Sequence, residues 1–156
     1  MRILKLLLLS LCFLFIASLT VSILIPSHIR ISRAININGN KDSVYKWIID
    51  SNYWKYWNPA FIINADKKLL ASPSITSLST TDSSILLKLQ QNNKVSVLNG
   101  WRFYKGFPGS FTVQCYMDFH LKWYPWQKLG SLFYENTYGI FMENGLNNLK
   151  MKAENQ

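Results

Sequence analysis

The chain has 156 residues, 17 Lys and Arg against 8 Asp and Glu, a net charge of +9 and 49% hydrophobic residues. That length holds one domain or two small ones and excludes a multidomain enzyme, while a charged fraction of 16% without acidic or basic blocks argues against intrinsic disorder. Two distant cysteines cannot staple a mini-protein, so the fold rests on an apolar core.

Leu6 to Ile25 is an uncharged run in which Ser10, Ser18, Thr20 and Ser22 alone are not apolar. Twenty helical residues rise about 30 Å, the thickness of a bilayer's hydrocarbon core. A cleaved signal peptide has a shorter apolar region closed by a small-residue site. This run ends instead in Ile23-Leu24-Ile25-Pro26. Cys12 follows Leu9-Ser10-Leu11, a poor lipoprotein box with a bulky Leu where a small residue is expected. Residues 1–26 therefore read as an uncleaved, single-pass membrane anchor, with a cleaved signal and a lipoprotein as alternatives; residues 27–156 read as one soluble domain. Arg2 and Lys5 precede the run and Arg30 and Arg33 follow it, but the very short N-terminal tail favours an inside N terminus. That orientation places the domain on the extracytoplasmic side.

From His28 to Asn38, Ile29, Ile31, Ile35 and Ile37 share one face of a period-two pattern, which predicts a strand; Arg33 shares the isoleucine face. Asn38-Gly39-Asn40 is turn chemistry, and Asn40 or Asp42 can cap a helix beginning near Lys41 with Val44, Trp47 and Ile48 on its apolar stripe. Tyr53 to Tyr56 predicts one further turn, and Pro59 pushes Asn58 out of helical geometry. Phe61 to Gln91 is the least patterned part, and Ser72 to Ser84, with Pro73, suits a solvated hairpin or loop. Ser84 to Leu89 and Lys94 to Tyr104 read as strands joined at Asn92-Asn93.

The clearest segment is Phe111 to Trp123. Its odd positions are Phe111, Val113, Cys115, Met117, Phe119, Leu121 and Trp123, and its even positions Thr112, Gln114, Tyr116, Asp118, His120 and Lys122. Strict alternation predicts a long strand with one buried and one wet face, leaving Gln114, Asp118 and His120 accessible. Pro125 then opens a helix predicted from Trp126 to Lys152, with Leu129, Leu132, Phe133, Ile140, Met142, Leu146 and Leu149 at three- and four-residue steps. Gly130, Gly139 and Gly145 each cost such a helix about 0.5–1 kcal/mol relative to Ala, so it needs a broad packing surface. An antiparallel sheet supplies it.

The strand ending Ile35-Asn36-Ile37-Asn38, the helix with Val44-Tyr45 and Trp47-Ile48-Ile49, and the patch Trp54-Lys55-Tyr56-Trp57-Asn58-Pro59 resemble the start of SRPBCC domains. These are the START, pollen-allergen-like and polyketide-cyclase-like helix-grip proteins. Met117-Asp118-Phe119, Trp123-Tyr124-Pro125-Trp126 and Tyr138-Gly139 through Leu149-Lys150 are similar to the ending of membrane-anchored bacterial members. The resemblance covers about Ile29 to Lys152. It implies an α+β helix-grip fold, a curved antiparallel sheet wrapped around a long C-terminal helix, behind the N-terminal transmembrane helix. It also implies an apolar cavity between sheet and helix that binds lipids, polyketides or other hydrophobic small molecules.

Candidate cavity residues are Arg33, Trp57, Trp101, Val113, Cys115, Met117, Phe119, Phe133, Tyr138, Gly139 and Met142. Trp101 and Trp123 are candidate fluorescence reporters, and Gly139→Leu is expected to fill the cavity. Arg33 reads either as an anchor for an acidic ligand head group or as a side chain snorkelling out or paired with a carboxylate at the core edge. Asp118 and His120, two apart on one face, read as an exposed polar pair rather than a catalytic dyad, and Cys115 as a small buried hydrophobe rather than a nucleophile. No cluster has metal-ligand spacing and no glycine loop cradles phosphate, so neither metal nor cofactor is expected. Without Arg2 and Lys5, 15 basic residues face 8 acidic ones, but they are scattered. That distribution suits solubility or attraction to anionic lipid and excludes a nucleic-acid face. The resulting expectation is a membrane-anchored module that binds a hydrophobic small molecule or lipid. The alternatives are a non-catalytic interaction or sensor domain and a cyclase-like enzyme.

Overall fold

The computed structural model describes residues 2–59, 74–91 and 95–155; the expectations for Phe61 to Pro73 and for the Asn92-Asn93 turn lie outside them. An N-terminal helix α1 (Arg2–Leu24) precedes strand β1 (His28–Asn38), helix α2 (Lys41–Ile49) and a short helix α3 (Trp54–Trp57). Strands β2 (Ser74–Thr81), β3 (Ser84–Gln91), β4 (Val95–Lys105) and β5 (Ser110–His120) follow. The chain closes with helices α4 (Pro125–Ser131) and α5 (Ile140–Glu154), joined through a π-helical turn at Glu135–Gly139. The five strands form one antiparallel sheet ordered β1-β5-β4-β3-β2. The fold is α+β, an antiparallel sheet gripping a C-terminal helical segment.

Local chemistry accounts for the start of the domain. Asn40 caps α2, its side chain accepting from the Asp42 amide at 2.8 Å, so Asn40 rather than Asp42 supplies the cap. The indole of Trp54 donates to the Ile48 carbonyl at 2.8 Å and that of Trp57 to the Trp47 carbonyl at 3.1 Å. Two buried tryptophans thereby satisfy carbonyls that the end of α2 leaves unpaired. Asn58 is extended, as the following proline requires, and Asn148 of α5 donates to the Trp57 carbonyl at 3.1 Å.

β1 and β5 pair along their full lengths, from His28 opposite His120 to Asn38 opposite Ser110. The odd-numbered face of β5 points inward: Val113 is 0% exposed, and Phe111, Cys115 and Phe119 are buried. Ile31 and Ile37 from β1 and Met142, Leu146 and Leu149 from α5 complete this core. Burying each such aliphatic side chain contributes about 1.5–3 kcal/mol.

The structure corrects three expectations. β5 ends at His120, not Trp123, because β1 begins at His28 and Leu121 makes its last backbone bond to the Ser27 carbonyl. Beyond that point no strand holds the alternation, and Trp123 is 69% exposed. The long C-terminal helix is not continuous. After α4 the amides of Leu132 and Phe133 bond back only three residues, to Leu129 and Gly130, and a π turn follows before α5. Leu132, Phe133 and Ile140 are therefore exposed rather than on a core stripe. Asp118 is buried, not accessible, because Arg30 lies across it. Of the two readings of the serine-rich stretch, the described residues form the hairpin: Ser74–Thr81 pairs with Ser84–Gln91, tied at its turn by Thr81 and Ser84.

Candidate functional site

The sheet and the C-terminal helical segment meet closely at one end and part at the other. At the closed end Ile37, Val44, Phe103, Phe111 and Val113 pack solidly. At the open end lies a cavity of about 540 Å³. Its floor is the inward face of β3, β4 and β5, from Leu87, Leu89, Val97, Asn99, Trp101, Cys115, Met117 and Phe119. Tyr134, Thr137, Tyr138, Phe141, Met142, Gly145 and Leu146 form the helical wall, and Trp54, Trp57, Asn58 and Pro59 close one side. A volume of this size suits a small apolar ligand.

The π turn shapes the wall. Tyr134 and Tyr138 both pack on Phe119, with ring centroids 4.9 and 4.8 Å away, and on each other at 5.2 Å. Trp57 and Trp101 meet edge to face at 5.6 Å. Asn99 is the polar centre of the floor. Its Oδ1 accepts from the Trp101 indole at 2.5 Å, and its Nδ2 donates to the Cys115 sulfur at 3.3 Å. Burial pushes the Cys115 thiol up to about 12, and burial also raises the Tyr138 phenol, so both are neutral at pH 7. The described lining holds no carboxylate, imidazole, ammonium or guanidinium group. Among the described residues, no cluster of His, Cys, Asp and Glu could hold a metal ion.

Of the residues singled out from sequence, Trp57, Trp101, Cys115, Met117, Phe119, Tyr138 and Met142 come together around this cavity. Four do not. Val113 sits at the closed end, between Ile35 and Phe103 in the sheet register. Phe133 faces outward at 67% exposure because the helix breaks there. Arg33 lies at the seam of β1 and α5, where it pairs with Glu135 and donates to the Ser32 carbonyl at 2.9 Å. Gly139 is packed over that arginine: a Cβ there would stand 2.6 Å from an Arg33 guanidinium nitrogen, so Gly139 leaves room for Arg33 and not for a ligand. Trp123 is likewise outside the lining.

Several lining residues escaped the sequence analysis. Asn99 interrupts the inward alternation of Val97, Trp101 and Phe103, a signal of a buried polar group that was legible. Tyr134, Phe141 and Gly145 recur with Tyr138 at three- and four-residue steps, but on one continuous helix the apolar stripe runs through Leu132 and Phe133 instead.

The opposite face of the sheet carries a separate polar group. Arg30 grips Asp118 with two bonds of 2.6 and 2.7 Å, and the guanidinium holds the carboxyl below its usual range. The His28 and His120 rings meet at a tilt beside it, with centroids 4.6 Å apart. Asp118 therefore partners Arg30 across the strands rather than His120. The Tyr116 ring, between Arg30 and Arg102, lies flat over Gly100, where any Cβ would meet its Cζ at 2.0 Å.

No protein-family model matches the sequence, nor does any curated protein. Solved structures do resemble the fold. A START superfamily protein from Mycobacterium smegmatis superposes with a TM-score of 0.59 at 16% identity, over 82% of this chain and 98% of the other. The di-domain ARO/CYC StfQ from the steffimycin biosynthetic pathway gives 0.57 at 13% identity over 82% of this chain, which spans only 51% of that longer protein. The Zhui aromatase/cyclase from Streptomyces sp. R1128 gives 0.51 at 11% identity, over 81% and 94% of the two chains. At such identities the likeness is one of fold, and it agrees with the order of strands and helices described above: the chain has the SRPBCC-like, helix-grip fold of START and aromatase/cyclase proteins.

Proposed function

We propose that this protein is a membrane-anchored module that binds a hydrophobic small molecule or lipid between the sheet and the C-terminal helical segment. The observation that carries the reading is the 540 Å³ cavity with its aromatic and aliphatic lining. Asn99, Thr137 and the phenol of Tyr138 supply a few hydrogen-bonding groups that orient a ligand. A lining without carboxylate or imidazole among its described residues supports binding over acid–base catalysis. The anchor is α1, which is long and apolar enough to cross a bilayer and whose residues 2–16 are all exposed.

Burying about 300 Å² of apolar ligand surface contributes about 7 kcal/mol at roughly 25 cal/mol per Å², before association costs of several kcal/mol. The few kcal/mol that remain correspond to affinity of roughly millimolar order for a generic ligand, so tighter binding requires a hydrogen bond to Asn99, Thr137 or Tyr138 as well. The test is titration of the full chain in lipid nanodiscs with a panel of polycyclic and long-chain ligands, read through the Trp57 and Trp101 emission. Saturable change reversed by competition is expected; a panel that gives none overturns the reading.

A further inference from the structure

α1 does not leave the domain as a free stalk. It packs against α4, and its covered residues are Ala17, Ser18, Leu19 and Ser22. Lys128 of α4 donates to the Ile25 carbonyl at 2.7 Å, and the Ser22 hydroxyl lies 3.5 Å from the Trp123 carbonyl. The contact therefore runs along roughly the last 12 Å of the apolar run, at 1.5 Å per residue. If Leu6 to Ile25 fills the hydrocarbon core, α4 lies beside residues that are themselves within the bilayer. The side chains that α4 and its flanks turn outward fit that depth: Trp123, Trp126, Leu132 and Phe133 are each more than 60% exposed. Tyr124 stacks on Trp126 at 4.9 Å, and the Lys122 ammonium stands 6.0 Å above the Tyr124 ring. Tryptophan and tyrosine with flanking lysine are the residues that seat protein at the membrane–water interface.

We infer that residues 123–133 are a second membrane contact, immersed in the interface of the leaflet that α1 leaves. This rests on α1 being the anchor. The occupant of the exposed aromatic surface is the lipid bilayer, because the surface is continuous with the lipid-facing flank of α1 and is reached at the same depth. The seat also fixes the domain's orientation. Tyr134, Thr137 and Tyr138, which follow directly in the chain, line the cavity, so the lipid contact and the cavity wall are consecutive segments of the chain.

The test uses the full chain reconstituted into phosphatidylcholine and phosphatidylglycerol vesicles, some carrying lipid with a nitroxide near the headgroup end of the acyl chain. Flotation reports anchoring, and tryptophan quenching reports the seat. Wild-type emission is expected to be quenched by the shallow nitroxide, and the Trp123→Phe, Trp126→Phe double variant to lose at least half of that quenching while still floating. Phe133→Asp, which leaves every tryptophan in place, is expected to reduce the quenching and raise accessibility to aqueous iodide. A wild-type protein that floats but is quenched no more than the double variant overturns the interfacial seat and leaves the anchor standing. A protein that does not float overturns both.

Discussion

Replacing Gly145 with Leu separates ligand binding from folding. Gly145 lies on the cavity wall, and a Cβ there would stand 3.3 Å from Pro59 and 3.9 Å from Trp57, at the boundary between α5 and α3. The neighbours must yield by a few tenths of an ångström, and overpacking of this kind costs about 1–3 kcal/mol. Removing a helix-interior glycine returns about 1 kcal/mol, so the net loss of stability is about 0–2 kcal/mol. The added side chain occupies ligand space. Displacing about three methylene equivalents of contact at about 0.8 kcal/mol each removes roughly 2.4 kcal/mol, a weakening of about 50-fold. Gly139→Leu is the control, since its side chain meets Arg33 rather than the cavity. It should disturb the Arg33–Glu135 pair and leave affinity within about twofold. Both variants are measured by emission titration in nanodiscs and by urea unfolding. If Gly145→Leu binds as tightly as wild type while remaining folded, the ligand does not occupy this cavity and the reasoning fails.

Three further outcomes follow from the geometry. Arg30 holds the Asp118 carboxyl below its ordinary 3.8, so this carboxylate's stabilisation is complete above that pH and lost as the pH falls through it to the depressed folded value. Circular dichroism melts across pH 5 to 2 should therefore show a smaller acid-induced decline in Asp118→Asn than in wild type; equal declines would refute the pairing. With Cys12 replaced by Ser, the Cys115 thiol, pushed up to about 12, should react with maleimide at pH 8 only after denaturation, and rapid labelling of the folded protein would contradict its burial. Gly100→Ala would put its Cβ 2.0 Å from the Tyr116 Cζ, must drive that ring off the sheet, and should lower the unfolding free energy by about 1–3 kcal/mol; an unchanged urea midpoint would show that the ring does not lie there.

The sequence by itself determined what depends on near neighbours along the chain. The apolar run of α1, the inward parity of Phe111 to Phe119, the turn at Gly39, the capping of α2 and the break before Pro59 each follow from side-chain period or backbone restriction within a few residues. Seven of the cavity residues were legible for the same reason, because facing stripes on a strand and a helix must meet. Tertiary structure decided the rest. Asp118 is buried because Arg30, 88 residues away, sits opposite it in the β1–β5 register. Arg33 turns to Glu135 instead of a ligand because the π turn brings that carboxylate within reach, and Gly139 is glycine because the guanidinium passes beneath it. Local helical spacing in Leu129 to Leu149 was compatible with one straight helix. The break at Leu132 and Phe133 brings Tyr134 and Tyr138 onto Phe119 and leaves Trp126 and Phe133 facing outward beside α1. Which end of the sheet is filled and which is hollow depends on where side chains far apart in sequence converge, and no local period records that.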